Sequence, residues 1–206
     1  MAIKGRFITF EGSEGSGKST QISLVLDYLK AKNLPVILVR EPGGVKISEK
    51  IRDILLDNKN KAMADECEVL LYMAARAQLV KEVLTPALNQ GQLVLCDRFL
   101  DSTIAYQGWG NGVDVTTIKN IGQYAVGNLK PDLKLWFDID PQLGLSRTNA
   151  KKDRIELRPL EYPNRVRQGY LALAKEDPNR IKTIKVDAAK EIIFERVKNF
   201  IDKVIK

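Results

Sequence analysis

The stretch Phe7-Ile8-Thr9-Phe10-Glu11-Gly12-Ser13-Glu14-Gly15-Ser16-Gly17-Lys18-Ser19-Thr20 constrains this chain more than any other. A short run of aromatic and β-branched residues stops at Gly12, passes through Gly15 and Gly17, and gives way to a 3.6-residue apolar period at Ile22, Leu24, Val25 and Leu29. That order predicts strand, phosphate loop, helix. Gly12, Gly17, Lys18 and Ser19 match the spacing G-x-x-x-x-G-K-[S/T]. The glycines let backbone N–H groups turn towards phosphate oxygens, and the following helix adds its positive N-terminal end. Lys18 supplies a cation that reaches the outer phosphates, and the Ser19 hydroxyl can ligate Mg²⁺. A plain glycine-rich turn before a helix is the alternative, and the strand and helix around the loop weigh against it. The stretch implies a bound nucleoside triphosphate.

With 206 residues, 44% of them hydrophobic, the chain has material for one α/β domain spanning 1–206 and a single substantial core. The net charge of +7 favours anionic partners. The basic residues form no long run, so a nucleotide accounts for them as well as nucleic acid does. Histidine is absent, which disfavours Ser-His-Asp chemistry and suits phosphoryl transfer, where positioning and charge dominate. Cys67 and Cys96 fit no C-x-x-C pattern, as in a reduced, cytoplasmic chain. Residues 1–6 lack the apolar centre of a signal peptide, and no apolar run approaches membrane-spanning length, so a soluble protein with no membrane partner is expected.

Beyond a helix over about 18–31, Val36-Ile37-Leu38-Val39 reads as a buried strand ending in Arg40-Glu41-Pro42-Gly43-Gly44. Such a turn at a strand's carboxyl end lies where open α/β sheets place ligands. Ile47, Ile51, Ile54 and Leu55 trace an amphipathic helix with Arg52 on another face. A long helical pattern runs from about Ala64 to Leu88, with Tyr72 and Arg76 four apart on one face. The third strand, 92–96, closes in Asp97-Arg98-Phe99. Asp97 there can hold Mg²⁺ and Arg98 can clamp a phosphate, or the two form an ordinary ion pair.

The next segment starts helical, placing Thr103 and Gln107 one turn apart, and its glycine-rich end, to Gly112, is expected to be loop. A helix over about 116–126, a fourth strand at 133–137 and a helix opening at Pro141 follow. The last runs into a cation-dense segment, Arg147 to Glu156, which is either a solvated turn or a mobile basic lid over about 147–158. A helix over about 162–176, an edge strand at 181–186 and a helix capped by Asp187 complete the pattern. Five strands alternating with helices predict a three-layer α/β fold with a mainly parallel sheet.

Together the motifs resemble the bacterial form of the thymidylate kinase family. The resemblance is carried by Phe10-Glu11-Gly12 with Glu14 in the loop, Arg40-Glu41-Pro42-Gly43-Gly44, Ala74-Ala75-Arg76, Asp97-Arg98-Phe99, Ala105-Tyr106-Gln107-Gly108 and Asp153-Arg154-Ile155-Glu156. It implies the nucleoside monophosphate kinase fold, with strand order 2-3-1-4-5, and transfer of the ATP γ-phosphoryl group to dTMP with Mg²⁺. It also implies a homodimer, with no nucleic-acid partner.

By the same resemblance, Gly12, Ser13, Glu14, Gly15, Ser16, Gly17, Lys18, Ser19 and Thr20, with Arg147, hold ATP. Ser19 and Asp97 serve the metal. Glu14 meets the acceptor sugar, Arg40 and Arg98 the acceptor phosphate, Arg52 matches a basic residue near the acceptor, and Tyr106 crowds the ribose 2′ position. Pro42 lies in the acceptor site. Tyr72 stands where the family commonly stacks a phenylalanine on thymine, Arg76 meets its O4, and Thr103 with Gln107 meets its other polar atoms.

Some relatives carry an arginine in the loop where this chain has Gly15. The transition-state cation must then come from elsewhere. Arg147, Lys151, Lys152 and Arg154 are available, and Arg154 leads, so the expected catalytic set is Lys18, Arg98 and Arg154. A kinase for another nucleoside monophosphate or a deoxynucleoside shares many of these features. A phosphate-loop ATPase or DNA-binding module leaves the lid and acceptor motifs unexplained.

Overall fold

The computed structural model describes residues 5–147, 153–155, 157–159 and 161–206. Among these, β1 (Arg6–Gly12), β2 (Val36–Arg40), β3 (Leu93–Asp97), β4 (Leu133–Asp138) and β5 (Ile181–Lys185) form one parallel sheet in the order β2-β3-β1-β4-β5. Parallel neighbours require long crossovers, which helices supply. α1 (Lys18–Ala31) follows β1. Between β2 and β3 run α2 (Lys46–Leu56), α3 (Asp65–Leu79), a π-helical segment Val80–Leu84 and α4 (Thr85–Asn89). Between β3 and β4 come α5 (Leu100–Thr103), a second π-helical segment Ile104–Gly110 and α6 (Val115–Val126). α7 (Pro141–Ser146) and α8 (Glu161–Glu176) precede β5, and α9 (Lys190–Val204) ends the chain.

Successive residues of a strand face opposite sides of the sheet, and β1 shows what this does. Ile8 and Phe10 pack with Ile22, Val25 and Leu29 of α1 and Val197 and Ile201 of α9. Phe7 packs on the other side with Leu79 and Leu84, its ring edge-on to Phe99 at 4.9 Å. Each such buried side chain contributes roughly 1.5–3 kcal/mol. A third cluster, containing Tyr106, Trp136, Tyr162 and Tyr170, lies under α8. The register pairs Phe10 and Arg40 with Asp97, so the carboxyl ends of β1, β2 and β3 lie level and their loops converge.

Several sequence expectations change on folding. Val36-Val39 is an edge strand, with Leu38 44% exposed, because among the described residues no further strand pairs with β2. In α2, Leu55 is buried but Ile47 and Ile54 are exposed, and Ser48 turns inward to donate its hydroxyl to Ala75 O at 2.7 Å. The helix expected over 64–88 is broken by the π-helical turn just before Pro86, a residue with no N–H to offer a regular turn.

The glycine-rich end of 101–112 is not loop as far as Gly110. A Cβ on Gly110 would stand 2.4 Å from the Tyr162 ring, so this glycine serves close packing against α8 rather than a turn. Asp187 does not cap the last helix. That helix begins after Ala189, and Asp187 instead pairs with Arg196 at 2.5 Å.

Candidate active site

The loop between β1 and α1 takes the expected left-handed turns, at Gly15 (φ 70°) and Gly17 (φ 75°). Gly15 is doubly constrained: a Cβ there would lie 2.0 Å from the carbonyl oxygen of Gly144 in α7. No loop arginine can occupy this position while α7 keeps its place. Ser16 Oγ donates to Ser13 O at 2.7 Å and stiffens the loop. Ser19 and Thr20 stand exposed at the start of α1, whereas Lys18 is buried and donates to Asp97 Oδ1 at 2.6 Å. Burial, followed by the nearby Arg98 charge, lowers the Lys18 pKa, and Asp97 opposes that shift.

Beside the loop opens a cavity of about 180 Å³. Nine of the ten expected acceptor residues line it: Glu14, Pro42, Arg52, Tyr72 and Arg76, and from the next crossover Arg98, Thr103, Tyr106 and Gln107. The tenth, Arg40, stays at the surface, where it donates to Pro42 O and Glu49, both at 2.9 Å. At one end Glu14 accepts from Arg98 Nη2 at 2.5 Å and from the Tyr106 hydroxyl at 3.1 Å. Arg98 lies over the Tyr106 ring and holds φ 71°, a strained value for a residue with a side chain. At the other end Arg76 is fully buried. Its Nε donates to Glu41 at 2.7 Å, Nη1 to Met73 Sδ at 3.1 Å and Nη2 to Thr103 Oγ1 at 3.0 Å.

The profile of the family described as Thymidylate kinase matches residues 10–197. The chain belongs to the thymidylate kinase family. The thymidylate kinase of Clostridium novyi is 43% identical over 202 residues, covering 96% of this chain and 98% of that one. That of Kosmotoga olearia is 46% identical over 193 residues, covering 93% and 92%. The crystal structure of the thymidylate kinase from Ehrlichia chaffeensis matches with a TM-score of 0.80 at 32% identity, covering 96% of this chain and 98% of that chain.

In this thymidylate kinase family member the segment expected to be a lid is only partly described. Lys151, Lys152 and Glu156 lie outside the described residues. Arg147 is exposed just beyond α7. Arg154 is buried away from the phosphate loop: its Nε donates to Leu55 O at 2.8 Å, and its Nη2 lies 2.5 Å from Glu68.

Glu68 was not singled out by sequence. It is fully buried on α3 and accepts from Gln107, Asn111 and Arg158 as well as facing Arg154. Its spacing of four from Tyr72 and eight from Arg76, along one helical face, was the signal available.

Glu11, Ser102 and Tyr170 form a second buried network, a partnership that the sequence does not reveal. Ser102 Oγ donates to Glu11 at 2.6 Å and lies 2.8 Å from the Tyr170 hydroxyl. Burial, reinforced by the charge of Asp101, pushes Glu11 up to about 7.

The residues present suit a magnesium ion carried by the nucleotide. Mg²⁺ takes oxygen ligands, keeps several waters and is usually bound through one or two carboxylates plus substrate phosphates. Ser19 offers an exposed hydroxyl, and Asp97 has only one oxygen engaged by Lys18. Among the described residues no cluster of three or more acidic, cysteine or histidine groups gathers to make a protein-only cage.

Proposed function

We propose that this chain transfers the γ-phosphoryl group of ATP to dTMP, giving dTDP and ADP. The observation that carries the proposal is Glu14. It belongs to the phosphate loop, yet its carboxylate is held by Arg98 and Tyr106 inside the acceptor cavity, so donor and acceptor meet at one point.

In this reading the amides from Gly12 to Thr20 and Lys18 hold the ATP phosphates, with Arg147 near them. Lys18 exchanges Asp97 for a phosphate when the nucleotide arrives. Ser19 and Asp97 would hold Mg²⁺, which would supply positive charge against the nucleotide phosphates. Arg98, with Arg52 and with Arg40 once it leaves Glu49, aligns the acceptor phosphate; that phosphate is already ionised at neutral pH, so no general base is required. Arg76, Thr103 and Gln107 face the base edge, Tyr72 its plane, and Tyr106 the sugar. The segment over about 147–158 acts as the lid of one domain spanning the chain, with Arg154 as its catalytic cation.

Screening dTMP, dUMP, dCMP, dGMP, AMP and thymidine with ATP and Mg²⁺ in a coupled assay tests the proposal. The highest kcat/KM is expected for dTMP, and faster turnover of another acceptor overturns it.

Lys18→Ala is expected to lower kcat by roughly a hundredfold, the usual loss on removing one preorganised charge donor. Asp97 is a quarter exposed, so losing its partner should cost less stability than breaking a fully buried pair. A kcat within fivefold of wild type, measured at saturating ATP, removes Lys18 from the catalytic set.

The chain also acts as a cytoplasmic homodimer without nucleic-acid or membrane partners. Support comes from the exposed apolar residues Ile47 and Ile54 of α2 and Leu70 of α3. No helix among the described residues is long and apolar enough to cross a membrane. A solution mass equal to the 23.2 kDa monomer, measured by light scattering, overturns the dimer.

A further inference from the structure

We infer that Glu68 is a positioning residue that fixes the side-chain amide of Gln107 and thereby makes the site select a base carrying a ring N–H. Gln107 is almost fully buried, and its Nε2 donates to Glu68 Oε1 at 2.8 Å. The two ends of a glutamine amide are nearly alike in shape, so the partners decide which way it points. Here the partner is a carboxylate that already carries two guanidinium groups, Arg158 donating at 2.8 Å and Arg154 paired with it by charge at 2.5 Å. Such a group accepts hydrogen bonds only. Gln107 must therefore turn its NH₂ to Glu68, leaving its carbonyl oxygen for the cavity it lines.

The neighbours of that carbonyl are donors. Arg76 has no acceptor atom, and three of its five N–H groups are engaged by Glu41, Met73 and Thr103. The Thr103 hydroxyl accepts from Arg76, so its own hydrogen is free to be donated. A donor beside an acceptor matches a base that presents a carbonyl beside a ring N–H. Cytosine presents an amino group where the donor stands and a bare ring nitrogen where the acceptor stands, a mismatch at both positions. Glu68 also holds the segment after α7 through Arg154 and Arg158, so one carboxylate ties base reading to the lid arginines.

The inference rests on the base edge lying against Gln107, as proposed above, and the experiment separates the two. kcat/KM for dTMP and dCMP is compared in wild type, Glu68→Gln, Gln107→Leu and the double variant. Glu68→Gln lets either amide flip, so the preference for dTMP over dCMP should fall tenfold or more, and the double variant should lose no more than Gln107→Leu alone. If Glu68→Gln slows both acceptors equally while Gln107→Leu loses selectivity, Glu68 is only structural and the inference falls. If Gln107→Leu keeps full selectivity, the placement of the base itself is wrong. Should Glu68→Gln not fold, wild-type enzyme is assayed with N3-methyl-dTMP. A drop of a hundredfold or more supports the inference, and turnover like that of dTMP overturns it.

Discussion

Arg154→Ala is expected to lower kcat for dTMP phosphorylation about a thousandfold, the low end of what a transition-state arginine supplies. The need for such a residue follows from Gly15. Its left-handed φ and the Gly144 carbonyl 2.0 Å from where a Cβ would stand leave no room for a loop arginine, so the charge that develops during transfer must be met from another element. In the structure the Arg154 guanidinium is buried on Glu68 and the Leu55 carbonyl, so a catalytic role would require it to exchange those partners for phosphate oxygens. The two roles have different kinetic signatures. A catalytic cation shows in kcat at saturating ATP and dTMP. A latch shows chiefly in KM for dTMP, and a kcat within tenfold of wild type would make the latch its main role. Arg147→Ala, measured alongside, tests another described cation of the 147–158 segment if Arg154 proves to be the latch.

Arg76→Met should destabilise the protein by about 3–5 kcal/mol, because it leaves the buried carboxylate of Glu41 without its counter-charge. Glu41 Oε1 has no hydrogen-bond partner among the described residues, so the substitution leaves both carboxylate oxygens unsatisfied. For a chain of this size that loss lowers the melting temperature by roughly 10 °C.

The effect depends on pH. Burial already raises the Glu41 pKa above 4.5 against the pull of Arg76, and removing Arg76 removes the opposing influence. The folded variant then keeps its proton to higher pH than the unfolded chain. Its stability therefore falls as pH rises from about 4.5 through the raised folded value. The gap from wild type should be smallest in acid and largest at neutral pH, as read from urea unfolding at a series of pH values. Glu41→Gln in the same chain should restore stability without restoring dTMP binding. A melting temperature within 2 °C of wild type at pH 7 would show that Glu41 finds another partner.

How much of this site was legible before folding depended on the kind of signal. The phosphate loop was legible because its chemistry is local: glycines with left-handed φ, a lysine and a hydroxyl lie within a few residues of one another. Tyr72 and Arg76, and likewise Thr103 and Gln107, were legible as pairs because helical periodicity puts residues four apart on one face. The same rule hid the inward turn of Ser48 and misplaced Ile47 and Ile54, since periodicity marks a stripe but not which neighbour will cover it.

By itself, then, the sequence determined the alternation of strands and helices, the phosphate loop and, through resemblance, the strand order and most of the acceptor cavity. Only the tertiary structure decided the partnerships. Glu14 and Arg98 are 84 residues apart, Glu68 and Gln107 39, and Arg154 lies 99 residues from the Leu55 carbonyl it reaches. No local pattern encodes such pairs. They form because parallel crossovers bring the carboxyl ends of β1, β2 and β3 level, and because burial leaves each charge there with few groups to answer it. Gly15 stands on both sides of this division. Its sequence position marks a missing cation, and the α7 backbone packed against it shows why no side chain fits.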